Sequence, residues 1–254
     1  MTEETADAVL TEQRDRVLVI TLNRPDQMNA FNAAQSNALA TALEELDSND
    51  GLTAAVLTGA GKGFSAGMDL KAFMTGEDIS AWSNFIRKGS QKPLIAAVEG
   101  FALAGGLETA LTCDLIVASE GAKFGVPEVK RGLFAAGGGL FRLPARVGHA
   151  KAMELAITGD PILADEAAEL GLISQMTEKG GALDAAIALA ERVARNAPLA
   201  VSASKAIVNA TQGRTEAELW DFQGPLMEKV FASNDAKEGP TAFAEKRDPN
   251  WSGT

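Results

Sequence analysis

Two glycine-rich stretches hold the residues of this chain best suited to chemistry. The first, GAGKGFSAGMDLKAF (59–73), follows the apolar run TAAVL and leads into a short helical stretch. The second, EGFALAGGLETA (99–110), follows LIAAV and also opens a helix. A glycine turn between a strand and a helix N-terminus exposes backbone N–H groups that favour negative charge. Glu108 sits three residues after Gly105, in the first turn of the apolar helix GGLETALT. The helix dipole stabilises a carboxylate there by about 0.3–1 kcal/mol. The rest of that helix is apolar enough to be buried, and a buried Glu needs a partner or a task. Glu128 follows Pro127 at the exit of the strand-like run in KFGVPEVKRG, and Glu99 is a third carboxylate at the entrance of the second glycine turn. One glycine loop could be a tight turn only, but two, each followed by an acidic residue, point to a site that binds negative charge.

Other patterns are weaker. GAGKG resembles a phosphate loop, but Val56 stands where G-x-x-x-x-G-K-[ST] needs its first Gly and Gly63 where it needs Ser or Thr. A dinucleotide fingerprint starting at Gly59 fails at Phe64. Gly63-Phe64-Ser65-Ala66-Gly67 does match the nucleophile elbow G-x-S-x-G, with Asp114 and His149 following in the order of a hydrolase triad. This is the rival reading, a Ser65 acyl hydrolase. Against it, Gly59–Lys62 is too long for a sharp strand–Ser–helix turn, and His149 lies at a helix start where a lone His commonly caps or faces solvent.

The elements that must position these residues follow from texture. VLVITL (17–22), TAAVLTG (53–59), LIAAVEG (94–100) and CDLIVAS (113–119) alternate with helical stretches such as AAQSNALATALEEL (33–46), the pattern of an α/β core. After Gly148 the strands nearly vanish. HAKAMELAITG, DEAAELGL, ALDAAIALAERVARNA, PLAVSASKAIVNAT and EAELWDFQGPLMEKVF read as helices, with Asp165 and Thr215 as caps, Pro198 in a first turn and Gly159 and Gly213 as stops. The division expected is an α/β core over 1–176 and a helical C-terminal region over 177–254. Apolar residues in the last long helix (Leu219, Trp220, Phe222, Leu226, Met227, Val230 and Phe231) are more than one core would cover, which points to an oligomer interface.

Composition sets the outer limits. The 254 residues need no disulfide or structural metal to bury a core. One Cys (Cys113) and one His (His149) exclude an internal disulfide and a Cys/His metal cluster. Twenty-three Lys+Arg against 34 Asp+Glu give a formal net charge of −11, which argues against a general nucleic-acid binder. The acidic start (Glu3, Glu4, Asp7, Glu12) lacks the basic region of a secretory leader, and the apolar stretch Leu94–Val98 stops far short of a membrane span. A cytoplasmic protein with no membrane partner is expected.

At these residues the chain resembles the crotonase (enoyl-CoA hydratase/isomerase) superfamily. The resemblance runs through VITLNRPDQMNAF, LTGAGKGFSAGMDL, KPLIAAVEGFALAGGLETALTCDLIVAS, KFGVPEVKRGL, GGGLFRLPARVG and EGPTAFAEKRDPNW, in the family's order. It implies a spiral of ββα units with a C-terminal helical trimerisation region, a homotrimer or homohexamer, and an acyl-CoA thioester as substrate, with no further cofactor and no metal. It implies oxyanion-hole N–H groups at Ala66 and Gly105. The two glutamates of water-adding members fall at Glu108, as base toward water, and Glu128, as acid at the α-carbon. Substrate contacts fall at Arg24, Ala30, Lys62, Ala66, Gly67, Met68, Asp69, Leu70 and Gly105. Arg24, Lys62, Lys71, Lys246 and Arg247 are the cations that could offset the acidic field near the CoA phosphates. The implied activity is that of an enoyl-CoA hydratase of fatty-acid and lipid metabolism. A carnitinyl-CoA dehydratase-like lyase would use the same machinery, and an acyl-CoA-binding paralogue without turnover stays open. Glu99 stands where Asn is commoner in the family, Ala104 where a third Gly is common, and Leu140-Phe141 where Thr-Gln is frequent.

Overall fold

In the run VLVITL alternate residues face opposite ways, as a pleated strand requires. Leu18, Ile20 and Leu22 enter one apolar core, Val17 and Val19 another. The same division repeats along the runs at 54–57, 94–98 and 116–118. Strands with two buried faces are continuously apolar, the mark of a parallel sheet covered on both sides.

The computed structural model describes residues 7–254. Glu3 and Glu4, counted above against a secretory leader, lie outside the described residues. The strands are β1 (Val9–Arg14), β2 (Val17–Leu22), β3 (Ala54–Gly59), β4 (Leu94–Val98), β5 (Phe101–Leu103), β6 (Leu115–Ser119), β7 (Lys123–Gly125), β8 (Ile162–Leu163) and β9 (Gln175–Thr177). The helices of the first half are α1 (Ala33–Ser48), α2 (Leu70–Thr75), α3 (Ser80–Lys88), α4 (Gly105–Thr112) and α5 (Gly139–Val147). The later ones are α6 (His149–Thr158), α7 (Ala164–Glu169), α8 (Ala182–Ala194), α9 (Pro198–Ala210), α10 (Glu216–Phe231) and α11 (Asp235–Glu245).

The main sheet has the order β1-β2-β3-β4-β6-β9, parallel except for the β1–β2 hairpin. A second ladder forms as the chain leaves each main strand. Phe31 bridges Met68, Ser65 bridges Ala102, and β5 pairs in parallel with β7, which β8 then meets antiparallel. Successive passes through main strand, short inner strand and helix therefore stack on one another, the ββα spiral that the resemblance implies.

The C-terminal half differs in detail from the expectation. β8 and β9 add strands after Gly148. α8 lies on the back of the main sheet, where Ala186, Ile187 and Ala190 pack with Val17, Val56, Ile95 and Val117. The helical stretch from 177 onward thus begins as part of the core. α9 is fastened to the core by the Lys205–Asp114 ion pair at 2.8 Å. Thr215 caps α10 through a reciprocal capping box with Glu218. Asp165 is not a cap: it lies in the first turn of α7, whose N-cap is Leu163. Along α10, Trp220, Met227 and Phe231 are exposed, while Leu219, Phe222, Leu226 and Val230 are half-buried. No helix of the described residues is long and apolar enough to cross a membrane.

Candidate active site

The two glycine loops meet each other. Gly67, at φ +100°, has no room for a side chain: a Cβ there would lie 2.7 Å from both the Ala104 Cβ and the Gly105 N. A Cβ on Gly106 would lie 2.2 Å from the Ser65 carbonyl oxygen. Glycine at both positions lets the backbone leaving β3 touch the N-terminus of α4.

Asn29 fixes the first loop from beneath. It is 1% exposed, its Nδ2 donates to the Ala60 and Gly63 carbonyls, and its Oδ1 accepts from the Arg24 N–H. Met28 and Asn29 both have positive φ, which turns their carbonyls toward the loop. The Asn29 carbonyl accepts from the Ser65 hydroxyl at 2.8 Å, and the Met28 carbonyl accepts from the Ala66 N–H at 3.0 Å.

That last bond corrects the assignment of Ala66 as an oxyanion donor, because its N–H is already engaged. Among the described residues no acceptor meets the N–H of Met68, two residues on, or that of Gly105 at the start of α4. Gly105 and Met68 are neighbours: a Cβ on Gly105 would lie 3.5 Å from the Met68 N. The pair of unengaged donors is therefore Met68 and Gly105.

Ser65 is also corrected. It is fully buried, its hydroxyl donates to Asn29 and accepts from the Gly67 N–H at 3.1 Å. Asp114 is committed to Lys205 and the Leu94 N–H, and His149 is exposed at the start of α6. Ser65 and Asp114 have separate partners, His149 faces solvent, and the three form no relay.

Glu108 is 2% exposed. Its Oε1 accepts from the Gly139 N–H at 3.0 Å, and a Cβ on Gly137 would come within 2.5 Å of its Oε2. Burial raises its pKa, while the Gly139 and Gly137 N–H groups and the nearby Arg142 charge pull it back down. The Arg142 guanidinium donates to the Gly137 and Ile86 carbonyls and so ties the glycine turn to α3. Glu128 stands on a 3₁₀ turn, Pro127–Arg131, directly after β7. Its Oε2 is buried without a hydrogen-bond partner. Burial, and to a lesser degree the charge of Glu108, push its pKa up to about 7. The charge of Glu108 thus reaches Glu128, and the two carboxyls stand in different environments, as an acid–base pair requires.

Trp82 was not anticipated. Its Nε1 donates to Thr109 Oγ1 at 2.9 Å, and that hydroxyl donates to the Gly105 carbonyl. The indole edge lies against both Gly105 and Gly137 and the ring packs tilted on Phe31. Trp82, Gly139 and Arg142 join Glu108 across long sequence gaps, so no local spacing announces them.

The remaining expected contacts divide. Lys62, Leu70 and Lys71 are exposed at the mouth of the first loop. Arg24 is not a loose cation: it donates to the Ala30 carbonyl and pairs with Asp69 at 3.0 Å. Asp69 in turn caps α2 through the Lys71 and Ala72 N–H groups, which with Arg24 hold its carboxyl below the usual range against the effect of burial. Ala30 is buried. Arg24, Ala30 and Asp69 therefore build the loop. Arg247 is held by Glu238 and Glu245 in the tail.

Residues 12–254 match the family model described as enoyl-CoA hydratase/isomerase. The enoyl-CoA hydratase EchA19 of Mycobacterium tuberculosis is 40% identical over 261 residues, covering 98% of this chain and 98% of that protein. A crystal structure of an enoyl-CoA hydratase from Mycobacterium tuberculosis H37Rv superposes with a TM-score of 0.95 at 55% identity, over 98% of this chain and all of the other. That of the enoyl-CoA hydratase EchA1 from Mycobacterium marinum gives 0.94 at 53% identity, over the same shares of the two chains.

Proposed function

The chain belongs to the enoyl-CoA hydratase/isomerase family, and from that premise we propose that it adds water reversibly across the 2,3 double bond of an enoyl-CoA thioester. The observation that carries this reading is the pair Glu108 and Glu128, one hydrogen-bonded and one with an orphaned buried oxygen, in unequal environments and with the charge of Glu108 acting on Glu128. Its full-length likeness to proteins named enoyl-CoA hydratase supports it further.

The chemistry runs as follows. The thioester oxygen accepts from the Met68 and Gly105 N–H groups, which stabilise the negative charge of an enolate-like state. Losing one such donor typically lowers the rate by about 10²–10³. Glu108, the carboxylate, takes a proton from water as the water oxygen bonds to C3. Glu128, protonated below about pH 7, delivers its proton to C2. Dehydration reverses each transfer. The reaction as written calls for neither metal nor redox cofactor, CoA being part of the substrate. Lys62 and Lys71 are the cations at the mouth suited to the CoA phosphates.

We further propose a homotrimer or homohexamer, on the exposed apolar side chains of α10, and a cytoplasmic setting. A stable monomer by light scattering at micromolar concentration would refute the assembly. For the reaction, crotonyl-CoA should lose its conjugated thioester absorbance without releasing free thiol. Thiol release, abolished by Ser65→Ala, would sink the hydratase reading.

A further inference from the structure

The end of α4 opposite Gly105 opens on a polar cavity of about 260 Å³. An eight-residue helix separates its two ends by about 12 Å, so this cavity lies apart from the thioester site. Five cations line it (Arg87, Lys88, Arg142, Arg146 and Lys205) against one carboxylate, Asp114.

Two of these cations are already committed. Lys205 pairs with Asp114 and donates to Ser90 Oγ and the Lys92 carbonyl. Arg142 is bound to the Gly137 and Ile86 carbonyls. The other three, Arg87, Lys88 and Arg146, make no ion pair among the described residues.

Each has a local reason to exist. Arg87 and Lys88 occupy the last turn of α3, and Arg146 the last turn of α5. A cation there gains about 0.3–1 kcal/mol from its own helix dipole. That does not explain why the ends of two helices aim unpaired cations into one concavity, in a chain with 34 acidic residues to pair them with. Convergent guanidinium and ammonium groups in a recess are the arrangement that holds a phosphate-type oxyanion, through charge-assisted hydrogen bonds. Asn209 and Gln212 line the cavity from the end of α9 and the turn beyond it, as neutral donors.

We propose that this cavity binds a small, multiply charged oxyanion of phosphate size and charge, at a site separate from the thioester site. The test is calorimetric titration of inorganic phosphate into the full chain at low ionic strength, with chloride at matched ionic strength as control. Arg142 is left intact because it ties the turn that seats Glu108. Saturable binding of one phosphate per chain is expected, weakened at least tenfold by the double change Arg87→Met with Arg146→Met and severalfold by Lys88→Gln alone. Lys88 is exposed, so that variant keeps the test decisive if the double variant fails to fold. Three results would overturn the proposal: no saturable binding, an affinity left within twofold by these changes, or displacement of phosphate by free CoA at equal stoichiometry, which would assign it to the substrate's phosphates.

Discussion

The Gly139 N–H donates to Glu108 Oε1 at 3.0 Å, across 31 residues of sequence. The carboxylate that the reaction assigns to water is therefore oriented by the start of α5 rather than by its own helix. Gly137, on the same turn, leaves room for the second oxygen.

A methyl group at Gly137 would intrude to 2.5 Å from that oxygen and 2.8 Å from the Trp82 ring. Displacing a reacting group by about 1 Å can lower a rate about 10²-fold. Gly137→Ala should thus lower kcat by about that factor while the fold persists. Gly224→Ala, which meets open space in α10, should leave kcat unchanged. Equal activity in both variants would remove Glu108 from its assigned role.

Replacing either glutamate by Gln removes a titratable proton at nearly constant shape. General acid–base catalysis contributes about 10²–10⁴-fold, so Glu108→Gln and Glu128→Gln should each lower kcat by that order with KM little changed. Groups acting in one event are non-additive, so the double variant should lose far less than the product of the two. Glu128→Gln should also slow exchange of the α-proton of a saturated acyl-CoA with deuterium from solvent, and Glu108→Gln less so. Equal loss of exchange in both would reverse or merge the assigned roles.

The environment of Glu128 has a consequence for stability. Its folded pKa, about 7, lies above the ordinary carboxylate value. Between those two values the folded chain binds more protons than the unfolded one, so this group's contribution to stability falls as pH rises through the window. Glu128→Gln should therefore melt at a higher temperature than the parent at pH 8, with the difference vanishing near pH 4. Thermal melts across that range check the sign. A variant less stable at pH 8 would contradict it.

Ala104 adopts φ 51°, ψ −130° at the N-cap of α4. An Ala in such backbone costs about 1–3 kcal/mol, and a Gly gives back about 0.5–1 through its freer unfolded chain. Ala104→Gly should stabilise the fold by about 1 kcal/mol, raising Tm by about 2–4 °C, with activity retained. A lower Tm would show that the Ala methyl contributes more through packing than its backbone loses.

Local signals were legible in the sequence, and distant ones were not. The stretch GGLETALT coincides with α4, and Thr215 caps α10 as expected. Glu108 and Glu128 each stand at a recognisable turn, but their pairing came from the family resemblance and not from either turn. The sequence pointed to the Ala66 N–H rather than to the unengaged N–H of Met68 because the difference depends on the Met28 carbonyl, which reaches Ala66 from an earlier pass of the spiral. Arg24 looked like a cation for phosphate because its partner Asp69 lies 45 positions away. Ser65 matched a nucleophile pattern whose geometry needs three side chains together, and spacing along the chain carries no information about their separate burial. Asp165 misled for a smaller reason: an acidic residue is as much at home in a first helical turn as at the cap.

Each inner bridge of the spiral couples one pass to the next: Phe31 to Met68, Ser65 to Ala102, β5 to β7. A nascent chain emerging from the ribosome would lay these passes down in order. It would hold Met68 and Gly105 side by side only after the α4 pass had docked on the β3 pass. Glu108 would have no seat until Gly139 had followed, so a nascent chain ending between Glu128 and Gly139 carries both carboxyls without their arrangement.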